Sequence, residues 1–211
     1  PEARVSVNGT ELDVGGLEGQ TQYGYLRREW VEQMTSAPGA LQLVGIDSGE
    51  TQAPFPWRRC RHHADLPWPA PGVRLSMRYT ASTSPVAVTV HYEMYDAVPV
   101  LVKWLEITNV SDGPVQINRF CVEVLAVVDY ESCVEGQKGW PYPTLHVESD
   151  YAFHGMTAAS ADVTTNWLPD PRYTSQVNYQ LQSPLLLETS PPLGPDVELA
   201  AAETLTSCRT F

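Results

Sequence analysis

Residues 139–179 hold a dense set of groups suited to gripping a polar ring. The stretch contains "GWPYP", "NWLPDPRY" and "QVNY". A saccharide offers apolar ring faces that stack on aromatic side chains. Its hydroxyls exchange hydrogen bonds with amides, carboxylates and guanidinium groups. Trp140, Trp167, Asp170, Arg172, Tyr173, Gln176, Asn178 and Tyr179 supply both kinds of group. They are candidates for carbohydrate binding or for contact with another domain. The competing reading is a proline-ordered loop whose aromatics pack on the body of the protein.

Hydrolytic chemistry finds weaker support. A two-carboxylate glycosidase needs an acid and a second carboxylate about 5 to 9.5 Å apart. Glu93, Glu123, Asp129, Glu131 and Asp170 are available, but their spacing pairs none of them. There is no GxSxG elbow for a serine nucleophile, and neither a phosphate loop nor a GxGxxG fingerprint is present. His62 and His63 are adjacent, so a strand would point them to opposite faces. They read as surface or interface residues. Cys60, Cys121, Cys133 and Cys208 form no CxxC pair and have no zinc-ligand spacing. They read as reduced, mostly buried thiols. No metal and no cofactor is expected. Asn8-Gly-Thr and Asn109-Val-Ser match the glycosylation pattern, yet both sit where a turn wants asparagine for backbone reasons.

The elements that must position these groups are strands. The chain has 211 residues, enough for one large domain with a real core. Charged residues make up 18% and there are 18 prolines, a mix that suits a loop-rich all-β protein. A net charge of −12 argues against nucleic acid or an anionic membrane as a partner. No apolar run approaches the roughly 20 residues of a membrane span. No signal peptide is visible, both ends read as interrupted strands, and the sequence assigns no compartment.

Residues 4–14 predict a hairpin turning at Asn8-Gly9. Leu26, Trp30 and Met34 are spaced for a short helix over 25–34, or for an irregular strand. Strands are expected at 41–46 and 73–81. The intervening 53–71 is excluded from strand or helix by Pro54, Pro56, Pro67, Pro69 and Pro71. Alternation then places Val86, Val88, Val90, Tyr92 and Met94 toward a core. Ala87, Thr89, His91, Glu93 and Tyr95 face water or a partner. A turn at 96–99 leads to a strand at 100–108, where Lys103 interrupts an apolar face. Residues 115–128 are apolar on both sides and read as one central strand. Later strands fall at 162–168, 185–188, 197–199 and 204–211. The expected fold is all-β: a single large antiparallel β-sandwich over 1–211 with little helix.

Several phrases carry a family resemblance: "VTVHYEMYDAVPVLVKWLEITN", "GPVQINRF", "SDYAFHGM", "DPRYTSQVNY" and "ETLTSCRTF". Together they resemble the N-terminal β-sandwich domain of bacterial α-galactosidase-like proteins, close to glycoside hydrolase family 36. The resemblance implies a supersandwich like that of galactose mutarotase, placed before a (β/α)8 barrel. In that family the catalytic aspartates lie on the barrel. A barrel would follow residue 211, so no residue here inherits a catalytic role.

The implied function is a non-catalytic N-terminal domain of a carbohydrate-active enzyme. It would dock on the barrel, shape the substrate entrance and contribute to homo-oligomer contacts. This predicts an exposed apolar patch where the barrel would sit. Trp57, Trp140 and Trp167 are candidates for an aromatic that reaches an active site in such oligomers, and no motif selects among them. One alternative is an independent carbohydrate-binding module. A second is an aldose epimerase-like enzyme, although no mutarotase pattern surrounds His91, His146 or His154.

Overall fold

The computed structural model describes residues 1–21, 27–58, 60–62, 67–127, 145–151, 163–170, 172 and 184–211. The chain begins with the expected hairpin, β1 (Ala3–Val7) and β2 (Thr10–Val14). Asn8 and Gly9 take φ of 50° and 78°, the left-handed pair that a two-residue turn matched to strand twist requires. A small ribbon follows, β3 (Leu17–Glu18) with β4 (Thr35–Ser36), and between them the helix α1 (Arg28–Val31). The spacing that suggests a helix over 25–34 thus yields four helical residues, and Leu26 lies outside the described residues. The middle of the chain is a meander: β5 (Gln42–Glu50), β6 (Gly72–Thr80), β7 (Val86–Tyr95) and β8 (Leu101–Asn109). The described parts of the proline-rich 53–71 contain neither strand nor helix. There Trp68 packs within 5.1 Å of Phe55 and 5.8 Å of Trp57, centroid to centroid.

The run 115–128 is not one strand. It divides at Val122 into β9 (Val115–Cys121) and β10 (Glu123–Ala126), which belong to different sheets. Val122 is fully buried and its N–H donates to the Thr189 carbonyl. Nor is the run apolar on both sides: Gln116, Asn118, Arg119 and Glu123 are at least partly exposed, while Val115, Ile117, Phe120 and Val122 are buried. The remaining strands are β11 (Thr165–Pro169), β12 (Pro184–Thr189), β13 (Pro195–Leu199) and β14 (Thr204–Thr206).

The result is an all-β sandwich of antiparallel sheets. One sheet runs β13-β9-β1-β2 and the facing one β14-β8-β7-β6-β5. Between them lies a core of Val5, Val14, Val86, Val88, Val90, Leu105, Ile107 and Ile117, all fully buried. Burying each such side chain contributes about 1.5–3 kcal/mol, which is why these alternating positions fix the register. A third sheet, β10-β12-β11, adjoins them. Arg4 ties it to the first sheet, donating to Asp13 at 3.2 Å and to Glu188 at 2.5 Å.

Alternation places Val86, Val88 and Val90 of β7 in the core as expected, but it predicts neither the cover over the opposite face, where Ala87 too is buried, nor the exposure at the strand's end. The face expected to meet water is covered: His91 is 7% exposed and Glu93 is 0%. The face expected to be core ends in Met94, which is 53% exposed. At this end the outer face is covered by Gln52, whose N–H meets Glu93 at 3.0 Å, and by Arg209, whose guanidinium packs on Trp104 and lies 3.8 Å from Glu93.

Candidate functional site

Of the aromatic-rich set, Trp167, Asp170 and Arg172 lie among the described residues. Trp167 is half-buried on β11, opposite Leu187. Asp170 follows the strand and accepts the Arg172 backbone N–H at 2.8 Å, closing a turn that leaves Arg172 exposed. Trp167 is thus the middle residue of β11, and Asp170 and Arg172 follow the strand's end. Trp140, Tyr173, Gln176, Asn178 and Tyr179 lie outside the described residues, as do Asp129, Glu131, His154 and Cys133. Glu93 and Glu123 are not free carboxylates for a hydrolytic pair, since both are engaged by the groups below. Cys121 is buried and Cys208 partly so, and desolvation pushes both thiols up, Cys121 to about 12. Cys60 is exposed, contrary to the expectation of burial. Asn109 is a turn residue and not an open glycan acceptor. It is 1% exposed and its amide donates to the carbonyls of Gly113, Leu199 and Ala200.

Two places on the five-stranded sheet stand out, one on each face. On the inner face, beyond the reach of the opposing sheet, lies an apolar groove of ≈ 420 Å³. Val73, Leu75, Met77, Met94 and Leu101 line it, with Tyr92 and Glu93. Register explains the set. Val73 pairs with Met94 and Met94 with Leu101, while Leu75 pairs with Tyr92, so successive rungs present apolar side chains to one side. Ile46, opposite Met77, extends the surface onto β5 and is 58% exposed. Gly72 begins β6 opposite Tyr95, the last residue of β7. A β-carbon there would run into the Met94 carbonyl, so only glycine lets β6 start so near the end of β7.

Where the groove meets the core stands Lys103, only 2% exposed. Its ammonium donates to Glu123 at 2.8 Å and to the Glu2 carbonyl, and lies 5.2 Å from the Tyr92 ring centre. The Tyr92 hydroxyl donates to Glu2 at 2.6 Å. Burial, reinforced by that bond, raises the Tyr92 pKa strongly. The lysine that interrupts the apolar face of β8 is therefore a buried, paired cation joining β8, the N-terminal strand and β10.

On the outer face, three neighbouring strands bring Ser76, His91 and Glu106 together. Ser76 Oγ is 2.8 Å from His91 Nδ1, and His91 Nε2 is 3.3 Å from a Glu106 oxygen. The Nε2 contact is an ion-pair distance without hydrogen-bond alignment, so that nitrogen has no aligned partner. The imidazole stacks on Trp104 at 4.8 Å with 14° between planes. The Arg209 guanidinium lies 4.1 Å from the Trp104 ring centre and 3.8 Å from Glu93. Glu93 also accepts the Gln52 N–H at 3.0 Å and the Tyr95 hydroxyl at 2.8 Å. Burial lowers the His91 pKa, against the opposing pull of Glu106. The same two causes, burial first and then the Glu93 bond, push the Tyr95 hydroxyl up to about 12.

The sequence hides this cluster because the three residues are far apart along the chain. Strand register is the signal that finds it. With strands ending at 81 and starting at 86, equal counting from the turn sets Ser76 opposite His91, as observed. Among the described residues no group of three His, Cys, Asp or Glu is arranged to hold a metal ion. Comparison with family models, with curated proteins and with solved structures gives no match.

Proposed function

We propose that this sandwich is a docking domain of a carbohydrate-active enzyme of the α-galactosidase type, seated on a catalytic barrel and contributing no residue to glycoside cleavage. The carbohydrate assignment rests on the phrases quoted above. The docking role rests on one observation, the apolar groove on the inner face of the five-stranded sheet, exposed among the described residues. Ile46, Val73, Met94 and Leu101 are each at least half exposed and share one face. A contiguous apolar surface of this kind marks an interaction site, whereas scattered apolar residues do not. Hydrogen exchange on the sandwich alone and on the sandwich joined to a barrel tests the reading. Added protection of β6 and of residues 94–101 on joining is expected, and unchanged exchange there overturns it.

A second reading, an independent carbohydrate-binding module, is favoured by Trp167, Asp170 and Arg172 lying close along the chain on and just after β11. Calorimetric titration with galactose, melibiose and raffinose separates the two. The docking reading expects no heat from the isolated sandwich. Heat that disappears in Trp167→Ala would replace docking with the module. The epimerase reading is disfavoured by the commitments of His91. One ring nitrogen is held by Ser76 and the other faces Glu106, leaving neither for a sugar.

A further inference from the structure

We propose that Ser76 is a base-activated nucleophile for small acyl esters, with His91 as its base and Glu106 as the residue that positions the base. This goes beyond the docking role and uses the opposite face of the sheet.

The tautomer of His91 follows from its two neighbours. A neutral imidazole carries one N–H. Were it on Nδ1, the lone pair of Nε2 would face the Glu106 carboxylate at 3.3 Å, which is repulsive. The proton therefore sits on Nε2, and the bare Nδ1 accepts the Ser76 O–H at 2.8 Å. A serine hydroxyl that donates to a neutral imidazole, with a carboxylate 3.3 Å from the far ring nitrogen, has the components that activate a serine, and a small turn of the Glu106 carboxyl would align the second bond. Burial holds His91 neutral at physiological pH, the state a base needs.

The ring is also preorganised. Trp104 stacks on it, and Arg209 packs on Trp104 while reaching toward Glu93. Space is available beside the nucleophile. Across β5, Asp47 lies opposite Ser76 and is flanked by Gly45 and Gly49. A β-carbon at either glycine would meet nothing within 4 Å. Arg74 and Arg78 lie two residues to either side of Ser76 on its own face, and Arg74 is close enough to act electrostatically on His91. The charged groups around His91 are thus Glu106 on β8, Glu93 on β7, Arg74 and Arg78 on β6, Asp47 on β5 and Arg209 from the C-terminal segment.

The step balances without a further reactant. Ser76 Oγ adds to the ester carbonyl as its proton passes to His91 Nδ1. The bond to the alcohol oxygen breaks and the alcohol leaves with that proton. Water then repeats the sequence on the acyl-serine and releases the acid.

The test treats the whole chain with a fluorophosphonate near neutral pH and maps the adduct by mass. A single adduct on Ser76 is expected, formed with loss of fluoride and absent in Ser76→Ala. In His91→Gln labelling slows by about a hundredfold. Turnover of p-nitrophenyl acetate follows the same order. In Glu106→Gln the acid limb of the labelling profile moves to lower pH, because the carboxylate that raises the His91 pKa is gone, and a purely structural Glu106 would not move it. No adduct on Ser76 in a folded chain, or labelling unchanged in His91→Gln, overturns the proposal. Should that variant fail to fold, the unaltered chain decides: a labelling rate that stays constant from neutral pH down to the lowest pH at which the chain remains folded overturns it equally.

Discussion

The two halves of β7 have the same apolar alternation and opposite fates. Val86, Val88 and Val90 are fully buried, whereas Met94 on the same face is 53% exposed. The polar face is inverted as well, since Glu93 is completely buried beside that exposed methionine. Alternation thus dictates which side chains share a face. Whether the face is covered depends on where the opposing sheet stops, and nothing inside the strand encodes that. An apolar half-face that stays exposed among the described residues is what supports the proposal that this domain docks.

The comparison can be broken at the border between the halves. Lys103→Ala removes a buried cation from Glu123 and from the Glu2 carbonyl, and a loss of about 3–5 kcal/mol is expected in urea unfolding. Lys103→Met together with Glu123→Gln removes both charges and is expected to recover part of that loss. Next comes a contrast on β8 itself. Leu105→Ala in the covered half is expected to cost about 2–5 kcal/mol. Leu101→Ala, half exposed on the same face, is expected to stay within about 0.5 kcal/mol. Equal losses would mean that the groove is covered in solution.

A smaller effect is expected from pH. Burial lowers the His91 pKa in the folded state, so the unfolded chain binds the proton more readily. The stability held by the neutral imidazole is complete above the unfolded value of about 6.5 and declines as pH falls from there through the lower folded value. His91→Gln flattens that slope, which unfolding curves across the range would show. The least effect on stability is expected for Met94→Lys, within about 0.5 kcal/mol. Its readout is reduced binding of a hydrophobic dye, and unchanged dye binding would place the exposed apolar surface elsewhere.

What the sequence discloses is what is local. The Asn8-Gly9 turn, the alternation of β7 and the meander from β6 to β8 follow from backbone preference and period. The division at Val122 was not legible, because a residue buried in either of two sheets looks the same in a string of letters. The burial of Glu93 was not legible either, since its cover comes from Gln52 and Arg209, distant in sequence. Ser76, His91 and Glu106 lie between these cases. Each residue is unremarkable alone, and the cluster appears once register is counted across two turns. Of the aromatic set, the proximity of Trp167, Asp170 and Arg172 reflects simple adjacency along the chain.

The sheet β13-β9-β1-β2 also governs when the protein can fold. Its inner strands, β1 and β9, pair the first residues of the chain with its middle, and β13 joins them from near residue 199. During synthesis at about 5–20 residues per second, β1 therefore waits on the order of 10 to 40 s before its sheet can be completed. A lone hairpin is marginal in water. Until β7, β8 and β9 have emerged, Val5 and Val7 lack the core residues that cover them, so the nascent chain depends for that time on whatever shields an apolar hairpin at the ribosome.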